Sequence, residues 1–485
     1  MAYSRRLFLQ WAAAVSTIGV PRRLIAAAPT GYRPALLPSQ REVWDHQTWM
    51  AKLGPKYTGN HAHAEFVEFL ATSMKALGLD VARERYTFPR WDARRWSISI
   101  EPFGASAFRP AVTSYFPYSG HTSAAGVTGD LVYAGRNPTF ALDNVRGKIA
   151  LVECPVNSRK FAELYQAWGV HPDGDHFPAE TRPARGPIAD LTQFQKAGAL
   201  AVILAWTDIS DANAADQYTP FSRPPQNIPG LYVGRDVGAR LRALAATGAK
   251  ATVVLEAETF ADTLTDTIVA TLPGASAEEV VILNTHTDGP NATEENGALG
   301  LLALAKYFSK IPRADRRRTL VFPMTTGHFA GPWVPSIRGF IENNPDVVKK
   351  AVAAVTVEHL GCREWLDEVA AGGEIHYRET GRMEWSVAIT PSKPMAGLLV
   401  DAVQGSRDRA GVVNPVKGGF LGEGNSLSRA GIPTIGYIPQ PNYLLAGPAD
   451  GCIEKLSPEL MHSQIEVFAK LVHKINGLTA AELKA

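Results

Sequence analysis

From about residue 265 onward the chain alternates two kinds of hydrophobic pattern. Short apolar runs at 267–272, 280–284, 319–323, 352–358 and 434–437 are bounded by polar or Gly/Pro residues, as strands buried on both faces are. Between them, apolar residues over 298–308, 336–342, 394–410 and 458–476 recur at helical spacing. This alternation predicts an α/β fold: a mostly parallel sheet covered by helices on both faces, with its site at the carboxyl ends of the strands. Upstream, Gly59-Asn-His-Ala-His63 opens a helix that carries Phe66, Phe69, Leu70, Met74 and Leu77 and stops at Gly78. Strand-like runs follow at 81–88 and 96–100, and the Pro- and Trp-rich stretch 29–58 is expected to wrap the surface.

The character changes between 112 and 260. Gly126-Val-Thr-Gly-Asp-Leu-Val-Tyr-Ala-Gly135 reads as strands and turns, and Val145-Arg-Gly-Lys-Ile-Ala-Leu-Val152 as a turn feeding a buried strand. Phe194-Gln-Lys-Ala-Gly-Ala-Leu-Ala-Val-Ile-Leu204 is a helix end, a glycine stop and another strand. A strand over 228–233 and a short helix over 237–246 complete the series. The order resembles the protease-associated domain, a small β-rich module inserted in some peptidases. It divides the chain into 1–28, a main domain of 29–111 and 261–485, and an insert of 112–260, in which 156–190 is expected to be a long insertion loop.

A length of 485 residues with 45% hydrophobic and 20% charged residues suits a two-domain globular protein. No apolar run approaches the roughly 20 residues of a membrane span. Ser4-Arg5-Arg6-Leu7-Phe8-Leu9-Gln10, then an apolar stretch and Ala26-Ala27-Ala28, resembles a twin-arginine export signal, which implies a periplasmic or secreted protein. Cleavage after Ala28 removes four of the 49 basic residues and none of the 47 acidic ones, leaving 45 against 47 and a net charge of −2. So balanced a surface argues against nucleic acid or an anionic membrane as partner and leaves a small molecule or peptide as substrate. Of three cysteines, Cys362 and Cys452 are the candidate pair in an oxidising compartment, with free buried thiols the alternative.

The chemistry concentrates in Val281-Ile-Leu-Asn-Thr-His-Thr-Asp-Gly-Pro-Asn-Ala-Thr-Glu-Glu-Asn-Gly-Ala-Leu-Gly300. An apolar run delivers His286 and Asp288 to a loop, and acidic residues precede the next helix. Imidazole and carboxylates at such positions are donors for a divalent ion such as zinc, although a polar strand-end loop needs no ion. Together these segments resemble the zinc aminopeptidase family, which includes glutamate carboxypeptidase and the non-enzymatic transferrin receptor. Family members hold two zinc ions on five ligands and use a glutamate as base.

The resemblance places the family's His-x-Asp on His286 and Asp288, its bridging aspartate on Glu295 and a later aspartate ligand on Glu358. It puts His328 at the base position and Phe329 and Ala446 where ligands stood. It therefore implies one divalent metal, zinc, on His286, Glu295 and Glu358, with His328 and Asp288 as catalytic groups. His328 could instead be a ligand or polar filler. His359, alternating with Glu358 along a strand, is expected on the opposite face, and Glu294 as a helix N-terminal charge. Glu423 and Tyr443 could line the pocket, and His61 and His63 belong to a helix-opening turn. The expected function is an exported metal-dependent hydrolase cleaving a peptide, amide or related bond. The alternative is a non-catalytic binding protein on the same fold.

Overall fold

A computed structural model describes residues 31–485 except 157, 181–189, 222 and 417–418. The export signal expected over 1–28 lies outside the described residues. Four parallel strands form the middle of the sheet, in the order Arg318–Thr325, Ser276–His286, Ala351–Val357 and Thr434–Pro439. Within one of them Val281 and Leu283 face one core, while Val280 and Ile282 face the other. Both sides need carbon, which is why the sequence shows unbroken apolar runs and not alternation. Each such side chain contributes about 1.5–3 kcal/mol on burial. Gln40–Lys52, His61–Ala76, Gly297–Ser309, Lys393–Ala402 and Pro458–Gly477 cover one face. Ile337–Asn343, Pro345–Lys350 and Gly424–Arg429 cover the other. The expected mostly parallel sheet with helices on both faces is what forms.

The insert is not hung on a linker. Asp80–Glu101 and Lys250–Leu272 pair antiparallel along their whole length, from Asp80 opposite Thr271 to Glu101 opposite Lys250. The runs at 81–88 and 96–100 are thus one strand, with register shifts between Phe88 and Arg90 and between Ala93 and Arg95. At one end Lys250–Leu272 pairs with Arg318–Thr325; at the other it pairs with Val127–Arg136 of the insert. Ile98, Ile100, Val253 and Leu255 therefore belong to the insert's core, and Ile268, Ala270 and Leu272 to the main core. Ile149–Cys154, Ala201–Trp206 and Gly230–Val233 continue in parallel from Val127–Arg136, so among the described residues both parts share one 15-stranded sheet.

Several expectations are corrected. The stretch 29–58 holds the helix Gln40–Lys52, capped by Ser39 and burying Val43, Gln47, Met50 and Ala51. The supposed loop 156–190 contains Phe161–Leu164 and the strand Tyr165–His171, which pairs with Ala410–Pro415 at the far edge of the main sheet. The helix expected over 394–410 stops at Ala402, Gly405 turns the chain at φ +75°, and Ala410–Pro415 is strand. All three cysteines are buried and free, so Cys362 and Cys452 are not paired. No described helix is long and apolar enough to cross a membrane.

Candidate metal centre

The carboxyl ends of the parallel strands bring the chemistry together. His286 ends one strand, Glu358 follows Val357 at the end of the next, and the loop with His328 follows Thr325. The His286 Nδ1 lies 2.8 Å from the Asp288 carbonyl. A carbonyl only accepts, so Nδ1 carries the proton and Nε2 keeps its lone pair. That Nε2 is buried and has no hydrogen-bond partner.

Two further imidazoles are built the same way. His328 Nδ1 donates to Glu423 Oε1 at 3.0 Å. His359 Nδ1 donates to the Pro439 carbonyl at 2.7 Å. Each ring is thus held at Nδ1 by an oxygen while Nε2 faces the cleft, the arrangement that orients histidine ligands in metal sites. His359 Nε2 lies 3.1 Å from Glu294 Oε2 and 3.8 Å from Glu358 Oε2, off the line of a hydrogen bond. His328 Nε2 lies 4.0 Å from Glu294 Oε1, and its ring stacks on His286 with centroids 4.2 Å apart at 16°. Donor atoms of His286, Glu358 and His359 all lie within 4.8 Å of one another, as do those of His286, Glu294 and His328. Glu294, His328, Glu358 and His359 line a cavity of about 20 Å³, room for one water or ion.

Charge in this space is unbalanced towards the carboxylates. Burial alone would lower the pKa of His328, but the Glu423 hydrogen bond and the charges of Glu423, Glu294 and Asp288 outweigh it and push the pKa up to about 9. His359 is likewise raised, Glu294 and Glu358 overcoming its burial. Burial would raise Glu294, but His359, His286 and His328 hold it below the usual carboxylate range. Both imidazoles are thus shifted toward their protonated form by buried acids, and a cation among those acids would meet the same need.

The site differs from the expected one at specific residues. Glu295 is not in the cluster. It turns away to Lys56, whose Nζ is 2.7 Å from Oε1, with both side chains fully buried. Burial pushes the Glu295 carboxyl up to about 7 despite that lysine. Glu294 takes the cleft-facing place, because Asn291 Oδ1 accepts from the Thr293 and Glu294 amides and winds a turn before the helix starts at Gly297. His359 also faces the cleft. The strand ends at Val357 and His359 sits at φ +56°, so the alternation that would have turned it away is broken. Nothing in the sequence marks a left-handed histidine, and nothing there distinguishes Glu294 from Glu295.

Asp288 does not reach the imidazole nitrogen closely: its Oδ1 is 4.0 Å from His286 Nδ1. Its Oδ2 accepts from the Thr58 hydroxyl and the amides of Gly327 and Phe329, which fixes the loop carrying His328. Glu423 accepts from His328, from the Ser336 and Thr325 hydroxyls and from the Ile337 amide. His63 is buried and accepts the Gly59 amide at Nδ1, so its Nε2 donates to Thr287, while His61 is exposed. Tyr443 donates to the Arg363 and Lys455 carbonyls and does not enter the cleft. Phe329 packs with Tyr218 and Leu445, and the Ala446 carbonyl accepts from Asn291. A larger groove of about 760 Å³ beside Trp49 and Phe69 shares no residue with this site.

Comparison with known proteins agrees with this architecture. Residues 127–241 match the model of the PA domain. No curated protein sequence matches the chain. Among solved structures, a zinc aminopeptidase from Bacillus subtilis is similar over 92% of this chain and 98% of its own, at 16% identity and a TM-score of 0.64. A peptidase precursor from Shewanella amazonensis is similar over 90% of this chain and 97% of its own, at 15% identity and 0.62. An aminopeptidase from an Aneurinibacillus strain covers 90% and 93%, at 17% identity and 0.57. The fold is that of the zinc aminopeptidases with an inserted protease-associated domain.

Proposed function

We propose that the chain is an exported metal-dependent hydrolase that cleaves a peptide, amide or related bond. The observation that carries this reading is the set of three imidazoles, each fixed at Nδ1 by an oxygen, whose Nε2 atoms meet Glu294 and Glu358. The residues fit a divalent ion. His286 Nε2 is a buried lone pair without a partner, and nitrogen with carboxylate oxygen is the donor set of zinc. His286, Glu358, His359 and Glu294 would hold the ion, in place of the set with Glu295. Such an ion supplies Lewis acidity towards a carbonyl oxygen and water.

The chain's own groups do the rest. His328, the one cleft histidine with appreciable exposure (21% of its side chain), stands at the mouth of the site. A cation seated among Glu294 and Glu358 would offset the carboxylate charge that holds His328 protonated; its Nε2 could then take a proton from the attacking water and return it to the leaving nitrogen, while Glu423 at Nδ1 stabilises the imidazolium between the two transfers. Asp288 keeps the loop in place through the Gly327 and Phe329 amides. Fixed dipoles and a narrow cleft limit the reorganisation that water would require. The motif around Arg5 and Arg6 supports export; N-terminal sequencing of the secreted protein should read from Pro29, and a chain still carrying Met1 would contradict it.

The test is turnover of aminoacyl and N-acyl amides before and after chelation. Activity should vanish with the metal and return with added zinc. His328→Ala should lower kcat by about 10²–10⁴ while KM changes little, the range for a lost general base. Full turnover in either the chelated protein or the variant contradicts the mechanism. A loaded protein that turns over no amide contradicts hydrolysis and favours a binding scaffold.

A further inference from the structure

Glu294 and Glu295 are both buried and adjacent in the chain, yet only Glu294 joins the donor cluster. Glu294 and Glu358 bring two negative charges, which a single divalent ion balances. A third free carboxylate beside them would be surplus and would compete for the same ion. What withholds Glu295 lies outside its own loop, in the turn after the helix Gln40–Lys52.

Lys56 is fully buried, and its ammonium, with three hydrogens to donate, has three oxygens around it. Nζ lies 2.7 Å from Glu295 Oε1 and donates to the Gly54 carbonyl at 2.8 Å and the Met50 carbonyl at 3.3 Å. The backbone of Lys56 is tied to the same loop. Its amide donates to the Gly289 carbonyl at 2.8 Å, and the Gly289 amide donates back to the Lys56 carbonyl at 3.0 Å. The second Glu295 oxygen, Oε2, lies against Gly289, where a Cβ would stand 2.3 Å from it. On either side, Gln47 donates to the Ala292 carbonyl at 2.6 Å and Thr58 donates to Asp288. Hydrocarbon of similar volume often serves packing as well as a buried ion pair does, so what the charges add here is a choice of partner.

Resting on the metal centre of the reading above, we propose that Lys56 is a positioning residue that decides which of two adjacent glutamates binds the ion. By neutralising Glu295 and holding its carboxylate against Gly289, it leaves Glu294 as the ligand and two ligand carboxylates for one divalent ion. The role is electrostatic: the ammonium matters because Glu295 is a carboxylate.

The test is a double-mutant cycle read by metal binding, which needs no turnover. Each variant is checked for folding by circular dichroism. Lys56→Met frees Glu295 to compete with Glu294, so zinc affinity in a competitive dye titration should fall by about 10–100-fold, the scale for disturbing the support of a ligand. The visible spectrum of the cobalt-loaded protein should change with it, because the donor set changes. Glu295→Gln, whose amide oxygen still accepts from Lys56, should stay close to wild type in both readouts. Lys56→Met/Glu295→Gln, which has no surplus carboxylate, should regain the wild-type spectrum and zinc affinity to within about threefold. Lys56→Gln, which keeps a donor for the two carbonyls, should match Lys56→Met and replaces it in the cycle if Lys56→Met does not fold. A double variant as weak as the lysine variant would make the pair a mere tie; a lysine variant with wild-type affinity and spectrum would sever it from the ion. Either result overturns the proposal and leaves the metal centre standing, whereas a wild-type protein that takes up neither zinc nor cobalt overturns both.

Discussion

Glu294 and Glu295 are neighbours with opposite surroundings, and the contrast sets the chemistry. Glu294 meets three imidazoles; Glu295 meets an ammonium. A buried carboxylate costs several kcal/mol unless a cation or hydrogen bonds compensate, so each of the two needs its partner. Glu358 is positioned as tightly. It accepts the Glu423 amide at 3.1 Å, and Gly422 beside it has φ +72° with no room for a side chain. A Cβ at Gly422 would stand 2.9 Å from Glu358 Oε1 and 2.4 Å from Ile438 Cδ1. Gly422→Ala should therefore weaken zinc binding by about 10–100-fold, the usual scale for disturbing the support of a ligand. Gly397→Ala, where a Cβ meets nothing within 4 Å, should not. Competitive titration with a zinc-binding dye measures both; equal affinities would mean that Glu358 is not a ligand.

At the scale of elements, the parallel strands were legible because burial on both faces leaves no polar position to confuse the pattern. The edge strand Tyr165–His171 was not. Its residues are Tyr-Gln-Ala-Trp-Gly-Val-His, buried at both ends and partly exposed between, which is the composition of a loop. Its pairing depends on distant residues. Arg409 is one of them. It lies over the Trp385 ring at 4.6 Å and binds Asp175 at 2.6 Å and Glu364 at 3.1 Å, fastening the turn after that strand. The hydrogen bond from Arg409 holds the Asp175 carboxyl below the usual aspartate range. A depressed carboxyl stabilises the fold fully above its unfolded pKa of about 3.9 and loses that contribution as pH falls through its folded value. Arg409→Met should therefore lower Tm at pH 7 and speed amide exchange over 165–171. The Tm gap to wild type should narrow below about pH 4. A gap that is constant or widens with acid would show that this contact does not hold the strand.

For the molecule as a whole, two units share one sheet, and the candidate site lies where they meet. His286 and Glu358 could be placed from sequence because strand ends are where an α/β sheet gathers side chains. His359 could not, because a left-handed non-glycine residue leaves no mark in the pattern. Lys56 could not either: its partner lies 239 positions away (295 − 56), and no local spacing joins them. The account stands on one ion held by His286, Glu294, Glu358 and His359, with Glu295 outside. Elemental analysis of protein purified without chelator tests this most directly, on wild type, Glu294→Gln and Glu295→Gln, each checked for folding by circular dichroism. The expected result is close to one zinc per chain in wild type and in Glu295→Gln, and little in Glu294→Gln. Zinc kept by Glu294→Gln and lost by Glu295→Gln would contradict the site, and a metal-free wild type that does not take up added zinc would contradict the centre itself.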